Sequence, residues 1–210
     1  MKLAVLIIIW LFVVSVSTAT DPDPKKTILV IGFSHSYFTS NSVETVAAGN
    51  QTDADSIFKF VNNKLLATFT EQLNPKFHYL SVADVSDIAS DAHTSFYYAL
   101  PGKEGGITSV RINEMGIRSL CEFYGADMIM FINSYELNWE DHPYLVYMHT
   151  FDSEVFTRSG EKILAERASF MVDDARLKEK YSGKLSRQLS RILKKVEKVD
   201  IGNDGIIANH

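Results

Sequence analysis

Residues 128–132 are apolar without interruption, Met128-Ile129-Met130-Phe131-Ile132, and the residues directly after them alternate, Ser134-Tyr135-Glu136-Leu137. Side chains on a strand point to opposite faces in turn. A strand built from this run is therefore buried on both faces at its start, while one face emerges into water at its end. That requires a sheet with helices packed on it, and the rest of the chain supplies both. Thr27-Ile28-Leu29-Val30-Ile31-Gly32-Phe33 is a second β-branched run that reads as a buried first strand. Phe77 to Val82 is a short second strand. Tyr144 to Phe156 and Lys162 to Val172 alternate around the turn signal Arg158-Ser159-Gly160-Glu161, so the chain closes its sheet with a three-stranded meander.

The helical periods lie between and after these strands. From Asp53 and Asp55, Ile57, Val61 and Leu65 recur every four residues with Phe58, Leu66, Phe69 and Leu73 beside them; Asn74-Pro75 ends the pattern. Ile112 to Tyr124 is a further helix, with Gly125 where a left-handed cap wants glycine. Asp173 or Asp174 caps a last helix whose apolar stripe is Leu177, Tyr181, Leu185, Leu189, Ile192, Leu193 and Val196. Its other face is basic: Lys178, Lys180, Lys184, Arg187, Arg191, Lys194, Lys195 and Lys198. Ser34 to Thr52 reads as a polar loop, residues 83–108 as one short helix and a mobile loop, and residues 200–210 as a loose tail. The expected fold is α/β (α+β): a mixed sheet of about five strands in the order β-α-β-(α)-α-β-β-β-α, helices packed on the sheet, in one domain over residues 27–199.

The amino terminus sets the compartment. Met1-Lys2 is followed by the apolar run Leu3 to Val14 and then by Ser15-Val16-Ser17-Thr18-Ala19. One positive charge, an apolar stretch too short to span a bilayer and a small-x-small ending read as a secretory signal peptide over residues 1–19, cut between Ala19 and Thr20. Residues 20–26 form a flexible leader. The chain is expected to be exported, periplasmic or secreted. The 210-residue chain has a net charge of -5, and removing residues 1–19 removes Lys2 and no acid, which takes it to -6. That balance argues against general nucleic-acid binding, which needs clustered cations. The single cysteine, Cys121, gives no disulfide framework and sits in an apolar helical pattern, where a thiol acts as a small hydrophobe.

The order of elements resembles the small bacterial envelope domains typified by the amino-terminal domain of TolB and the curli secretion lipoprotein. The shared features are the early Ile28-Leu29-Val30-Ile31-Gly32-Phe33 strand, the Gly125-Ala126-Asp127 step from helix into strand, two long antiparallel strands and a carboxy-terminal amphipathic helix. The resemblance spans most of residues 27–198. It implies an envelope or extracellular binding role, with an unidentified protein or envelope component as partner, and no catalytic residues. No lipid-modifiable cysteine stands at the expected cut, unlike the lipoprotein members.

Several local clusters carry chemistry of their own. Ser34, His35 and Ser36 follow the first strand, where a nucleophile would be exposed if a base and a group orienting that base stood nearby. The segment resembles the Gly-Asp-Ser block of SGNH-type esterases, which would make Ser34 or Ser36 the nucleophile; Phe33 stands where that family has Asp, no Asp-x-x-His block is present, and Gly202-Asn203-Asp204 and His210 lie in the tail. Asp84, Asp87, Asp91 and His93 offer oxygen and imidazole donors for a hard cation, or a solvated helix face. The polar end of the third strand holds Tyr135, Glu136, Trp139, Asp141 and His142; alternation places Tyr135, Leu137 and Trp139 on one side and Glu136 and Asn138 on the other, a pattern of core or of an interaction patch. The basic last helix offers contact with an anionic surface. Asn50-Gln51-Thr52 is a glycosylation sequon. No cofactor is expected. The leading expectation is a non-enzymatic exported binding domain, with a serine hydrolase as the alternative.

Overall fold

The computed structural model describes residues 25–71, 73–83, 97–101, 107–112, 114–141 and 145–207. In chain order its elements are β1 (Lys26–Ile31), β2 (Phe38–Ser40), α1 (Val43–Gly49), α2 (Ile57–Thr70), β3 (Phe77–Val82), β4 (Tyr97–Pro101), β5 (Ile107–Ile112), α3 (Glu114–Tyr124), β6 (Met128–Glu140), β7 (Val146–Thr157), β8 (Lys162–Val172) and α4 (Glu179–Ile207). The main sheet runs β3-β1-β6-β7-β8. β1 is parallel to both β3 and β6, while β6, β7 and β8 form the antiparallel meander. This is the mixed α/β sheet that the strand and helix periods predict.

The apolar run at 128–132 lies inside the sheet because both of its faces are covered. Met128, Met130 and Ile132 join Ile28 and Val30 against α2 and α4, in a core that includes Val61, Leu65, Phe69, Leu185, Leu189 and Leu193. Ile129 and Phe131 join Leu29 and Ile31 on the opposite face, against Ile117, Leu120 and Cys121 of α3. Burying each such side chain is worth about 1.5–3 kcal/mol. The apolar stripe of the last helix is buried as its spacing predicts, and so is Leu177 just before the helix begins.

An extra residue in β6 keeps this face arrangement consistent. Ile132 pairs with Ser153 and Ser134 pairs with Asp152, so Asn133 is a bulge. It shifts the alternation by one, and Tyr135 and Leu137 therefore face the same core as Met128, Met130 and Ile132. Ser134 and Glu136 face outward.

Two glycines are set by backbone geometry. Gly125 closes α3 at φ +62°, with the Ala126 amide donating to the Cys121 carbonyl at 2.8 Å. Gly32 ends β1 where a Cβ would lie 2.5 Å from the Ala83 carbonyl oxygen and would collide with the Asn62 side chain. Its own amide donates to the Val82 carbonyl at 2.9 Å.

Four segments differ from the sequence reading. The polar stretch after β1 contains β2, which pairs in parallel with Tyr135–Leu137 of β6, and the short α1. The helix expected from Asp53 starts at Ile57, after a 3₁₀ turn over Ala54–Ser56, and ends at Thr70 before reaching Asn74. Within residues 83–108, β4 and β5 pair as a separate two-stranded antiparallel ladder. The last helix starts at Glu179, several residues after the expected Asp173 or Asp174 cap, and continues to Ile207, past the expected start of a loose tail, so Gly202 and Gly205 lie within it. Residues 20–24 of the leader, the Ala19–Thr20 cut and the expected short helix with Asp84, Asp87, Asp91 and His93 lie outside the described residues, as do His142 and His210, while Lys26, the last residue of the expected leader, already belongs to β1. No described helix is long and apolar enough to cross a membrane.

Candidate functional site

Ser34 lies at the start of a 3₁₀ turn over His35–Tyr37, and its carbonyl accepts the Tyr37 amide at 3.0 Å. The His35 ring packs edge-on against Phe58 at 4.5 Å, and Phe33 stacks in the core on Tyr135 at 5.2 Å. Among the described residues no hydrogen bond joins the Ser34 or Ser36 hydroxyl to an imidazole or a carboxylate. Gly202-Asn203-Asp204 falls inside α4. Among the described residues no group of three or more His, Cys, Asp or Glu side chains is placed to hold a metal ion.

The end of β6 divides as its alternation predicts, but the aromatic side is core. Tyr135 is fully buried, its hydroxyl 2.9 Å from His149 Nδ1 and 3.1 Å from the Tyr181 hydroxyl. It is therefore a structural residue, not a surface for a partner. His149 also stacks on Phe170, with ring centroids 4.9 Å apart. Burial pushes the imidazole down to about 3, so the ring is neutral at physiological pH. Burial raises both tyrosines well above their ordinary range. Trp139 is half-buried against Tyr147, and the Asn41 side chain brackets it: Asn41 Oδ1 accepts the Trp139 amide at 2.6 Å and Nδ2 donates to its carbonyl at 3.1 Å. Asp141 is exposed. Glu136 holds Arg167 of β8, whose Nη2 lies 3.0 Å from both carboxylate oxygens while Nη1 donates to Asp152 at 3.0 Å.

The sequon asparagine is similarly committed. Asn50 Nδ2 donates to the carbonyls of Val46 at 2.7 Å and Ala175 at 2.9 Å, and Oδ1 accepts the Leu177 amide at 2.8 Å. Its amide fastens α1 to the segment that leads into α4.

One arrangement with open binding capacity is a groove where α4 passes the edge of the sheet. It is about 470 Å³ and is lined by Glu166, Arg167 and Ser169 of β8 and by Gln188, Arg191, Lys194, Lys195 and Lys198 of α4. Those four cations stand at i, i+3, i+4 and i+7, so they form one stripe of the helix. Lys195 pairs with Glu166 at 2.6 Å. Among the described residues Lys194 and Lys198 form no ion pair within 4 Å, although Lys194 stands near enough to Glu197 to help Lys76 hold that carboxyl low. Arg167 contributes less positive field than its charge suggests, because Glu136 and Asp152 face it. The two ends of β8 are treated differently. Gln188 Nε2 donates to the Ser169 carbonyl at 3.0 Å and Lys184 Nζ donates to the Met171 carbonyl. Toward Leu164 the basic stripe runs alongside, and among the described residues no helix side chain caps a β8 carbonyl there. The basic face of the last helix is legible in the sequence, but its neighbour is not: only the fold shows that its 191–198 stripe meets the edge of β8.

Fold and groove together define an α/β domain with helices on both faces of its sheet and a cationic recess at one edge. No family model matches the chain, and no curated protein matches it. Among solved structures it is similar to the PelC dodecamer from Paraburkholderia phytofirmans, at a TM-score of 0.34 and 8% identity over 81% of this chain and 87% of that one. A point variant of the same dodecamer gives 0.32 and 9%, with the same coverage.

Proposed function

We propose that this chain is an exported, non-catalytic binding domain that engages an anionic partner in the groove between β8 and α4. The observation that carries the proposal is the stripe Arg191, Lys194, Lys195 and Lys198 facing one carboxylate, Glu166. The chain as a whole is acidic, at -5. Four cations of one helix face therefore gather beside a single lining carboxylate in an otherwise acidic chain, and such a cluster raises the local concentration of an anion. Export rests on the Leu3–Val14 apolar run and the small residues before Thr20.

Two measurements test this. Fluorescein-labelled dextran sulfate should bind the purified protein at about 20 mM salt and lose most of its affinity at about 300 mM, because exposed charges are screened over a Debye length of a few ångströms there. The double variant Lys194→Glu, Lys198→Glu should weaken binding by about tenfold or more. Equal binding by wild type and variant would remove the groove from the proposal. Expression with the leader intact should yield an exported chain starting at Thr20; an intact cytoplasmic product would remove export.

A further inference from the structure

We infer that the partner is an extended polypeptide segment with acidic residues at alternate positions, which adds as a strand to the open half of β8. The inference rests on the anionic-partner reading above and supplies its chemistry. Among the described residues β8 is the edge of the sheet and pairs with β7 alone. The carbonyls of Ser169 and Met171 accept from α4 side chains, so the odd-numbered residues turn their backbone groups away from β7. The Glu166 carbonyl, of opposite parity, accepts the Ser153 hydroxyl of β7 at 3.4 Å, which agrees. By the same alternation Ala165 and Arg167 present their N–H and C=O groups at the free edge. Another backbone in register satisfies such a row; a sugar polymer or a lipid headgroup does not.

α4 flanks this edge on one side only, and that sets the side-chain pattern. A strand added about 4.8 Å beyond β8 would turn every second side chain toward α4. The 191–198 stripe is about 10.5 Å long at 1.5 Å per residue. Two carboxylates at i and i+2 of the added strand, about 6.8 Å apart, fit within that length. The intervening side chains would face the other side, where Arg167 is already held by Glu136 and Asp152. Acids there would meet two carboxylates, so neutral residues belong at those positions. Recognition therefore asks for alternation, not for negative charge alone.

The test uses the full mature chain and labelled peptides in fluorescence anisotropy. Glu-Thr-Glu-Val-Glu-Thr-Glu is compared with a peptide of the same composition whose four acids are contiguous, and with the alternating peptide carrying N-methyl groups on alternate amides. The alternating peptide should bind about fivefold or more tightly than the contiguous one, and N-methylation on the pairing edge should abolish that advantage. Ala165→Pro should abolish it too, since proline on an edge strand removes an outward N–H and leaves the β7 ladder intact; an unchanged melting curve checks the fold. If the alternating and contiguous peptides bind equally and N-methylation has no effect, strand addition is overturned. Dextran sulfate binding that still depends on Lys194 and Lys198 would then leave the groove reading standing. Tighter binding of phosphatidylserine vesicles or of a DNA oligonucleotide than of the alternating peptide also overturns the inference. No polyanion binding at all would remove both readings.

Discussion

His149 makes the stability of this fold pH-dependent in a window that few other groups share. The imidazole is fully buried between Phe170 and Tyr181, with a folded pKa pushed down to about 3 from 6.5. The sign follows from proton binding. Below pH 6.5 the unfolded chain takes up a proton on this ring and the folded chain does not, so stability falls as pH falls, until the folded ring also protonates near pH 3. The slope is about 1.4 kcal/mol per pH unit, which gives a loss of about 2 kcal/mol between pH 7.5 and pH 5.0. Urea unfolding followed by Trp139 fluorescence at the two pH values measures it. Replacing the ring by His149→Phe keeps the stack on Phe170 and removes the titration, so the variant's loss between pH 7.5 and 5.0 should be smaller by about 2 kcal/mol. Asp173, Asp174 and Glu197 have carboxyls held low by Lys180, Arg176 and Lys76, respectively. Their stabilisation is present above the unfolded carboxylate pKa and is lost as pH falls through the folded one, below pH 5, so they leave this window clear. An equal pH dependence in wild type and variant, or an NMR titration of His149 with a midpoint near 6, would refute the reasoning.

Three further outcomes follow from the packing. Asn50→Ala removes two hydrogen bonds that tie the end of α1 to the segment before α4 and a third to the Val46 carbonyl within α1, and chemical denaturation should show a loss of about 2–3 kcal/mol. Gly32→Ala places a methyl group against the Ala83 carbonyl and the Asn62 side chain, so a thermal melt should show destabilisation of about 1–3 kcal/mol. Cys121 is buried with its thiol pushed up to about 11 by that burial, so a thiol reagent at pH 8 should label it only at the rate of unfolding and at full rate in urea.

The parts legible in the sequence are those whose signal is periodic and local. The unbroken run at 128–132, the alternation of β7 and β8 and the four-residue repeat from Ile57 each reflect how many faces of an element are buried. The Asn133 bulge escapes such reading because nothing in Ile132-Asn133-Ser134 shows which residue is unpaired; the register against β7 decides it. β2 escapes because Phe38-Thr39-Ser40, three residues in a polar stretch, become a strand only by pairing with Tyr135–Leu137, far along the chain. His149 looks like one member of an alternating strand, and its place in a buried network depends on Tyr135 and Tyr181 arriving from two other elements. The basic helix face was visible as charge, yet charge alone does not separate Lys180, tied to Asp173, from Lys194.

That separation bears on why the groove exists. Free strand edges invite pairing, and folded chains usually blunt them. Here a single helix treats the edge of β8 in two ways. One end of the contact is blunted, with Lys184 and Gln188 donating to the carbonyls of Met171 and Ser169. A turn further on, α4 turns to the edge a row of cations, of which Lys195 is the one ion-paired within 4 Å among the described residues. Charge of one sign repels other basic edges and disfavours neutral ones only through the cost of desolvating the cations, but it admits an acidic strand at low cost. A chain selected only to avoid aggregation would gain from capping both ends alike. The asymmetry is what an edge kept open for one class of partner requires, and it makes a sharp demand: replacing Arg191 and Lys194 with glutamine should weaken the alternating peptide while leaving the protein monomeric. If that variant associated with itself instead, the cations would be acting as a guard for the edge and not as a recognition surface.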